Sequence, residues 1–267
     1  MTNQRAIITG CSTGIGRATA IELSARGYDV IATARRRETL DDLKVAETLA
    51  LDVNDDASVA SVVAAVGPVD VLVNNAGFGL EGAIETVPLD DVRRMFDTNF
   101  FGAARMIQAF VPGMRERGSG AVVNVSSVAG VAAGPLGGYY SASKFALEAM
   151  SEALHLEAGH FGVRVLVIEP GNIETQFGAN LVDHRAGPGP YQALAQLWEG
   201  AQDKLGGGEA VPGPELVAAV IADALESDRA QLRWPVGSDA EMIAAARQGM
   251  SYDEFEAAMR AVLQLDW

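Results

Sequence analysis

Residues 5–16, RAIITGCSTGIG, decide the fold of this chain. The run RAIITG at 5–10 has the apolar, β-branched character of a buried strand, and a helical pattern follows over 15–26. Between them Gly10, Gly14 and Gly16 permit a tight turn, close backbone approach and close helix packing. The helix that follows offers free N–H groups and the positive end of its dipole, a setting suited to a pyrophosphate. A glycine turn alone is weak evidence for a nucleotide. At the first strand of a repeating strand–helix pattern it is much stronger.

That pattern runs through the chain. DVIATA at 29–34, ETLALDV at 47–53, VDVLVNN at 69–75, AVVNVSS at 121–127, VRVLVIEP at 163–170 and AQLRWPV at 230–236 read as further strands. Helical stretches at 88–115, 139–160 and 214–227 lie among them. Strands apolar on both faces and alternating with helices predict a parallel sheet covered on both sides. The expected class is α/β, a single domain over 1–267 with a Rossmann-type doubly wound parallel sheet flanked by helices. Residues 176–213, after the sixth strand, depart from the pattern: Gly and Pro clusters surround an amphipathic segment with Tyr191, Leu194, Leu197 and Trp198. This is the composition of a substrate lid, and equally of an ordinary surface insertion. Residues 236–267 read as a helical extension that covers the site, packs on a partner or caps the core.

Charge and cysteine content bound the function. The 267 residues are 49% hydrophobic, and 20 basic against 35 acidic side chains give a net charge of −15. Such a surface opposes nonspecific binding to nucleic acid or to an anionic membrane. The single cysteine, Cys11, excludes an intrachain disulfide. The opening MTNQR leads straight into a strand pattern, leaving no room for a signal peptide, and no run of 18 apolar residues occurs. A cytoplasmic protein without a membrane span is expected. Asn124 in NVS meets the glycosylation rule but lies inside a strand pattern. His155, His160 and His184 are the only histidines, and their spacing holds no shared metal, so none is expected.

In GGYYSASKFALEAM, 137–150, Tyr140 and Lys144 stand one helical turn apart on one face. A phenol titrates near pH 10 and is a poor proton donor and base at neutral pH. A fixed ammonium nearby favours the phenolate and draws the tyrosine downward, so the pair reads as an acid–base device once a substrate is brought to it, and from spacing alone as an ordinary surface pair of a helix. Ser127 ends the fifth strand, at the sheet edge where open α/β folds bind ligands, and its hydroxyl is suited to stabilise charge on a carbonyl oxygen. Tyr139 falls off the lysine's face and Ser126 points to the other side of its strand, so both are expected to pack.

The glycine pattern TGCSTGIG resembles that of the short-chain dehydrogenase/reductase family, and further motifs fall in order from about residue 5 to about 235. The resemblance implies a tetrad of Asn99, Ser127, Tyr140 and Lys144, in which Asn99 holds a water that links the lysine to solvent. It also places Asn75, Ala76 and Gly77 of NNAG beside the nucleotide, Asp52 with Val53 at the adenine, and Pro170, Gly171, Ile173 and Thr175 of PGxxxT at the nicotinamide amide. Ser12, Thr13 and Ile15 complete the glycine turn. Where NAD enzymes place an acidic residue after the second strand, this chain has Ala34 and then Arg35-Arg36-Arg37. Arg suits a ribose phosphate, and Arg35 stands nearest the strand end, so the expected cofactor is NADP(H). A plain solvated start of the next helix is the other reading of the three arginines.

Within the family, TGCSTGIG, ATARR and the RWPVG…D tail look most like the 17β-hydroxysteroid and retinol dehydrogenase-like branch. An interconversion of a ketone or aldehyde with a bulky apolar alcohol is implied, with Ser127, Tyr140, Phe177, Tyr191, Leu194 and Trp198 at the substrate. The long helices resemble those that pair between subunits, implying a homodimer or homotetramer. An NADP-binding regulatory protein without turnover, and an epimerase or dehydratase on the same scaffold, are the alternatives.

Overall fold

The computed structural model describes residues 4–185, 189–205, 210–229 and 231–264. Parts of three expectations therefore lie outside the described residues: 186–188 and 206–209 of the segment after the sixth strand, Ala230 of the last strand, and 265–267 of the C-terminal extension.

The apolar runs become strands β1 (Arg5–Ile8), β2 (Asp29–Ala34), β3 (Glu47–Ala50), β4 (Val71–Asn74), β5 (Leu80–Glu81), β6 (Gly120–Val125), β7 (Val163–Pro170), β8 (Val182–Asp183) and β9 (Arg233–Val236). Helices α1 (Gly14–Ala25), α2 (Asp56–Val66), α3 (Leu89–Phe96), α4 (Ala103–Arg117), α5 (Gly138–Gly159), α6 (Gln192–Leu205) and α7 (Pro214–Glu226) alternate with them, and α8 (Ser238–Gly249) and α9 (Tyr252–Leu263) follow. Seven strands form one sheet in the order β3-β2-β1-β4-β6-β7-β9, every pair parallel. They are the seven runs read from the sequence.

The strand period of two sends alternate residues into two cores. Ile8, Val30, Val73, Val123 and Ile168 pack with Leu23 of α1 and Val217 and Ile221 of α7. Ile7, Ile31, Leu72 and Val122 face the other way, onto Val59 and Val62 of α2 and Met106 and Phe110 of α4. Both faces are dry, which is why the runs are apolar throughout. A polar staple crosses the second core: Asn74 donates to Asn124 at 2.9 Å, and Asn124 donates to Ser151 of α5 at 2.8 Å. Strand order reverses between β1 and β4, so the crevice at their C-terminal ends is the expected ligand position.

The expected continuous helix over 88–115 is corrected by the structure. A π-helical turn, Asp97–Gly102, separates α3 from α4. The extra residue turns Asn99 inward, where its side chain donates to the Phe78 carbonyl and accepts the Phe78 N–H, both at 3.0 Å. Gly102 ends this turn in close approach to Val53, whose side chain stands 2.7 Å from where a Cβ would be. Such turns favour sites where a side chain must be aimed.

A second, two-stranded ladder was not foreseen. After β7 the chain returns so that β8 pairs in parallel with β5. Arg185 bridges Glu81 at 2.6 Å, and His184 pairs with Asp91 of α3 at 2.8 Å.

Candidate active site

Thr9, at the end of β1, organises the glycine turn. Its hydroxyl accepts the N–H groups of Asn75 and Ala76, both at 3.0 Å. Asn75 in turn donates to the carbonyls of Thr9 and Gly10. Gly10 has φ +75°, and a Cβ there would stand 2.9 Å from the Ala76 backbone. A side chain at Gly16 would collide with Asn75 and the Gly10 carbonyl. Gly77 has the same close relation to Asn99, whose Oδ1 would lie 3.0 Å from an added Cβ. Gly10 meets backbone, Gly16 meets backbone and the Asn75 amide, and Gly77 meets the Asn99 side chain, so a Cβ has no place at any of the three. Thr13 caps α1 without using its side chain, so its hydroxyl and Ser12 stay at the mouth of the turn, with Ile15 packed onto the core below. Cys11 is fully buried, and burial pushes its thiol up to about 12.

The PGxxxT stretch closes over this turn. Thr175 lies 3.4 Å from where a Cβ on Gly14 would stand, and Ile173 packs on the core. Pro170 ends β7, and the Gly171 N–H bonds the Val236 carbonyl of β9 at 2.9 Å. On the other flank, Asp52 accepts the Asn54 N–H at 3.0 Å and Val53 is buried beside Gly102. Arg35 and Arg36 stand exposed just past β2. Arg37 is taken up by Asp41 and the Thr48 carbonyl.

Ser127, Tyr140, Lys144 and Asn99 converge at the same sheet edge. Ser127 is extended and caps a short turn, accepting the Ala129 N–H at 3.1 Å. Burial pushes the Tyr140 phenol up to about 12, against the lowering influence of the Ser127 hydroxyl, and Glu81 adds to the rise. Burial likewise draws Lys144 down to about 8, opposed by Glu148. Lys144 Nζ donates to the Val125 carbonyl at 2.9 Å and lies 5.8 Å from the Tyr140 ring centroid. The expectation that the ammonium lowers the phenol is therefore not met. Nζ faces the ring and a carbonyl, and burial dominates.

Asn99 also donates to Ser143 at 3.2 Å. Between it and Lys144 lies a cavity of about 10 Å³ lined by Thr9, Asn74, Thr98 and Val125 among others, the size of one water. Tyr139 packs with Leu80 and Val87 and donates to the Ile84 carbonyl at 3.1 Å, as expected of a packing residue. Ser126 is buried on the far side of β6, against Glu148.

The apolar residues after β7 come to Tyr140 in part. Phe177 sits 5.7 Å from the Tyr140 ring, centroid to centroid, and closes on Gly79. Trp198 of α6 covers Gly134, its ring 2.5 Å from where a Cβ would project. Leu194 lies one turn before Trp198 on the same helix face, half-buried. Tyr191 reaches Glu85 instead, whose carboxylate raises its pKa. Ile84 on Gly138 and Leu181 on Gly79 complete an apolar wall that sequence reasoning did not assign. No local pattern marks those two. Glu148, one turn after Lys144, and Asp239, the acidic end of RWPVGSD, were also missed as site residues, although both lie inside stretches that drew attention. Among the described residues no helix is long and apolar enough to cross a membrane.

A family model described as short chain dehydrogenase matches residues 4–186. The chain belongs to the short chain dehydrogenase family. It is an oxidoreductase by that membership. Human retinol dehydrogenase 8 is 41% identical over 189 residues, 66% of this chain and 61% of that protein. Human 17-beta-hydroxysteroid dehydrogenase type 1 is 38% identical over 85% of this chain and 76% of that protein. A Streptomyces avermitilis short-chain dehydrogenase structure matches with TM-score 0.85 and 36% identity over 100% of both chains.

Two other family structures carry a nicotinamide dinucleotide. One from Burkholderia cenocepacia is in complex with NADP (25% identity, TM-score 0.78, 99% of this chain and 98% of that one). One from Burkholderia phymatum is in complex with NAD (25% identity, TM-score 0.76, 96% and 95%). The residues of this chain fit such a cofactor. The turn leaves no room for a side chain at Gly10 or Gly16 and holds Gly14 at φ +58°, the α1 N-terminus is free of a side-chain cap, and the loop from Pro170 to Thr175 closes over it.

Proposed function

We propose that this chain is an NADP(H)-dependent oxidoreductase that interconverts a ketone or aldehyde and a bulky apolar alcohol, with Tyr140 as acid and base. The observation that carries the reading is the meeting of the Ser127 and Tyr140 hydroxyls, backed by Lys144, at the sheet edge beside the glycine turn. When bound, the nicotinamide supplies or accepts the hydride. Gly10, Ser12, Thr13, Gly14, Ile15 and Gly16 hold the pyrophosphate end, Asp52 and Val53 flank the adenine, and Asn75, Ala76, Gly77, Pro170, Gly171, Ile173 and Thr175 line the rest. Arg35 takes the ribose phosphate, with Ala34 in place of the acidic residue that favours NAD.

Ser127 donates to the substrate carbonyl oxygen, and Tyr140 gives it the proton. The phenol is protonated at neutral pH, the state a donor needs, and its rise on burial is a cost that the bound substrate and cofactor must offset. Lys144 backs Tyr140, its Nζ 5.8 Å from the ring centroid, and the cavity at Asn99 is the route by which the proton is replaced. Phe177 lies beside Tyr140, with Leu181 at Gly79, Ile84 at Gly138 and Trp198 at Gly134 as further apolar cover, and the two human relatives are named for retinol and for a hydroxysteroid. The described part of 176–213 serves as the substrate cover on a single catalytic domain. Phe101, Phe145 and Leu156, exposed on the π turn and α5, support a homodimer or homotetramer.

The test is NADPH consumption with a panel of ketones, together with Tyr140→Phe. Stoichiometric oxidation by the wild type, lost in the variant while NADPH binding persists, is the expected result. Full turnover in Tyr140→Phe refutes the role of Tyr140.

A further inference from the structure

Behind Lys144 the structure holds a buried charge cluster that the reaction as proposed does not use. Glu148 follows Lys144 by one turn of α5 and is 5% exposed. Its Oε2 accepts from Arg233 Nε of β9 at 3.0 Å. Arg233 also pairs with Glu152 at 2.9 Å and approaches Glu169 of β7 at 3.4 Å. Glu169 is 2% exposed, and its Oε1 accepts no hydrogen bond. Gly130 gives the cluster its room: a Cβ there would stand 2.7 Å from Ser126 Oγ, 3.1 Å from Glu148 Cγ and 3.2 Å from Lys144 Cβ. The stems of Glu148 and Lys144 thus lie together over one glycine beside the Ser126 hydroxyl, one helical turn apart on one face, and Glu148 Oε1 accepts no hydrogen bond there.

We infer that Glu148 is a positioning residue for Lys144: a carboxylate anchored by Arg233 that keeps the buried ammonium charged. An ammonium this buried loses much solvation, which the bond to the Val125 carbonyl offsets in part and an opposite charge nearby offsets further. Burial draws Lys144 down and Glu148 raises it. Glu148 is itself pushed up by burial, and the Ser126 hydroxyl, Arg233 and Lys144 all favour its ionised form. Other elements around the lysine bring little charge. From α5 come Tyr140 and the exposed Glu152, from β7 Glu169, and from β9 Arg233. The π turn and the end of β4 contribute the neutral Thr98, Asn99 and Asn74. Arg233 therefore fixes Glu148, Glu148 sustains Lys144, and Lys144 serves Tyr140.

The inference deepens the proposed reaction and rests on it for its consequence in turnover, so its test reads the lysine directly. The chain has three lysines, Lys44, Lys144 and Lys204. With ¹³C-labelled lysine, NMR follows the Cε signals against pH, and Lys144→Met assigns the one of interest. Glu148→Gln is expected to lower the Lys144 midpoint by about one pH unit, a tenfold fall in the ratio of ammonium to free amine at fixed pH. Glu169→Gln is expected to leave it in place. An unmoved midpoint in Glu148→Gln, or an equal fall in Glu169→Gln, overturns the assignment. Should the glutamine variant fail to fold, Glu148→Asp carries the test: a smaller fall supports the assignment and an unmoved midpoint overturns it. A shifted midpoint in a protein that reduces no carbonyl refutes the proposed reaction and leaves this coupling standing.

Discussion

Asp239, at the start of α8, accepts the Asn172 N–H at 2.7 Å, and its carboxylate fills the space where a side chain on Gly171 would stand. Gly237, with φ +103°, lies against the same carboxylate. The end of β9 is thereby tied to the loop after β7, whose far end, Thr175, rests on Gly14. Asp239 thus holds one wall of the cofactor crevice without lining it. Asp239→Ala removes this exposed bond and leaves the Asn172 N–H to water. A stability loss of about 0.5–1.5 kcal/mol is expected, with a KM for the nicotinamide cofactor raised more than kcat is lowered. Denaturant unfolding and steady-state kinetics check both. An unchanged cofactor KM sets Asp239 apart from the crevice.

Arg35 stands exposed at the end of β2, whereas Arg37 is occupied by Asp41. Removing a guanidinium that binds a phosphate costs about 1.5–3 kcal/mol, roughly a tenfold to hundredfold change. Arg35→Ala is expected to raise the KM for NADPH by that factor and to leave the KM for NADH nearly unchanged. Equal effects on the two cofactors would falsify the assignment of Arg35 to the 2′-phosphate.

Phe177 and Trp198 close the apolar wall from different elements, one beside Tyr140 and the other over Gly134. On the proposed reading, truncating either removes contact with a large substrate and none with a small one. Phe177→Ala and Trp198→Ala are expected to raise KM severalfold for a polycyclic or long-chain ketone while leaving a small aliphatic ketone unaffected. Parallel losses for both substrates refer the two residues to folding alone.

The seven strands were legible because each is buried on both faces, so a run such as Val71–Asn74 carries its own signature. The glycine turn was legible because backbone contact there admits no other residue. Tyr140 and Lys144 stood out by their spacing on one helix, whereas Ser127 and Asn99 entered through the family resemblance. What escaped depends on contacts between distant segments. The π turn at Asn99 answers to Phe78, 21 residues away. The cluster of Glu148, Glu169 and Arg233 unites α5, β7 and β9, and none of the three is unusual in its own stretch. Spacing placed Lys144 beside Tyr140 correctly, yet it gave the wrong sign for the phenol, because burial has no local sequence signal.

Glu169 makes stability depend on pH in a direction opposite to that of an ordinary ion-paired carboxylate. Burial, with Glu148 close by, pushes it from the usual carboxylate value of 4.5 up to about 7, against the pull of Arg233. The folded protein thus binds this proton more tightly than the unfolded chain does. Between about pH 4.5 and 7 the folded state carries more of the proton, so its advantage is full below the unfolded value and is lost as pH rises through the folded one. Glu169→Gln keeps the size of the side chain and removes the titration. The difference in Tm between variant and wild type is expected to grow in the variant's favour from pH 5 to 8, by roughly 2–4 °C for each kcal/mol of linkage. Calorimetry across that range decides it. A difference that stays constant with pH means that Glu169 does not change protonation there.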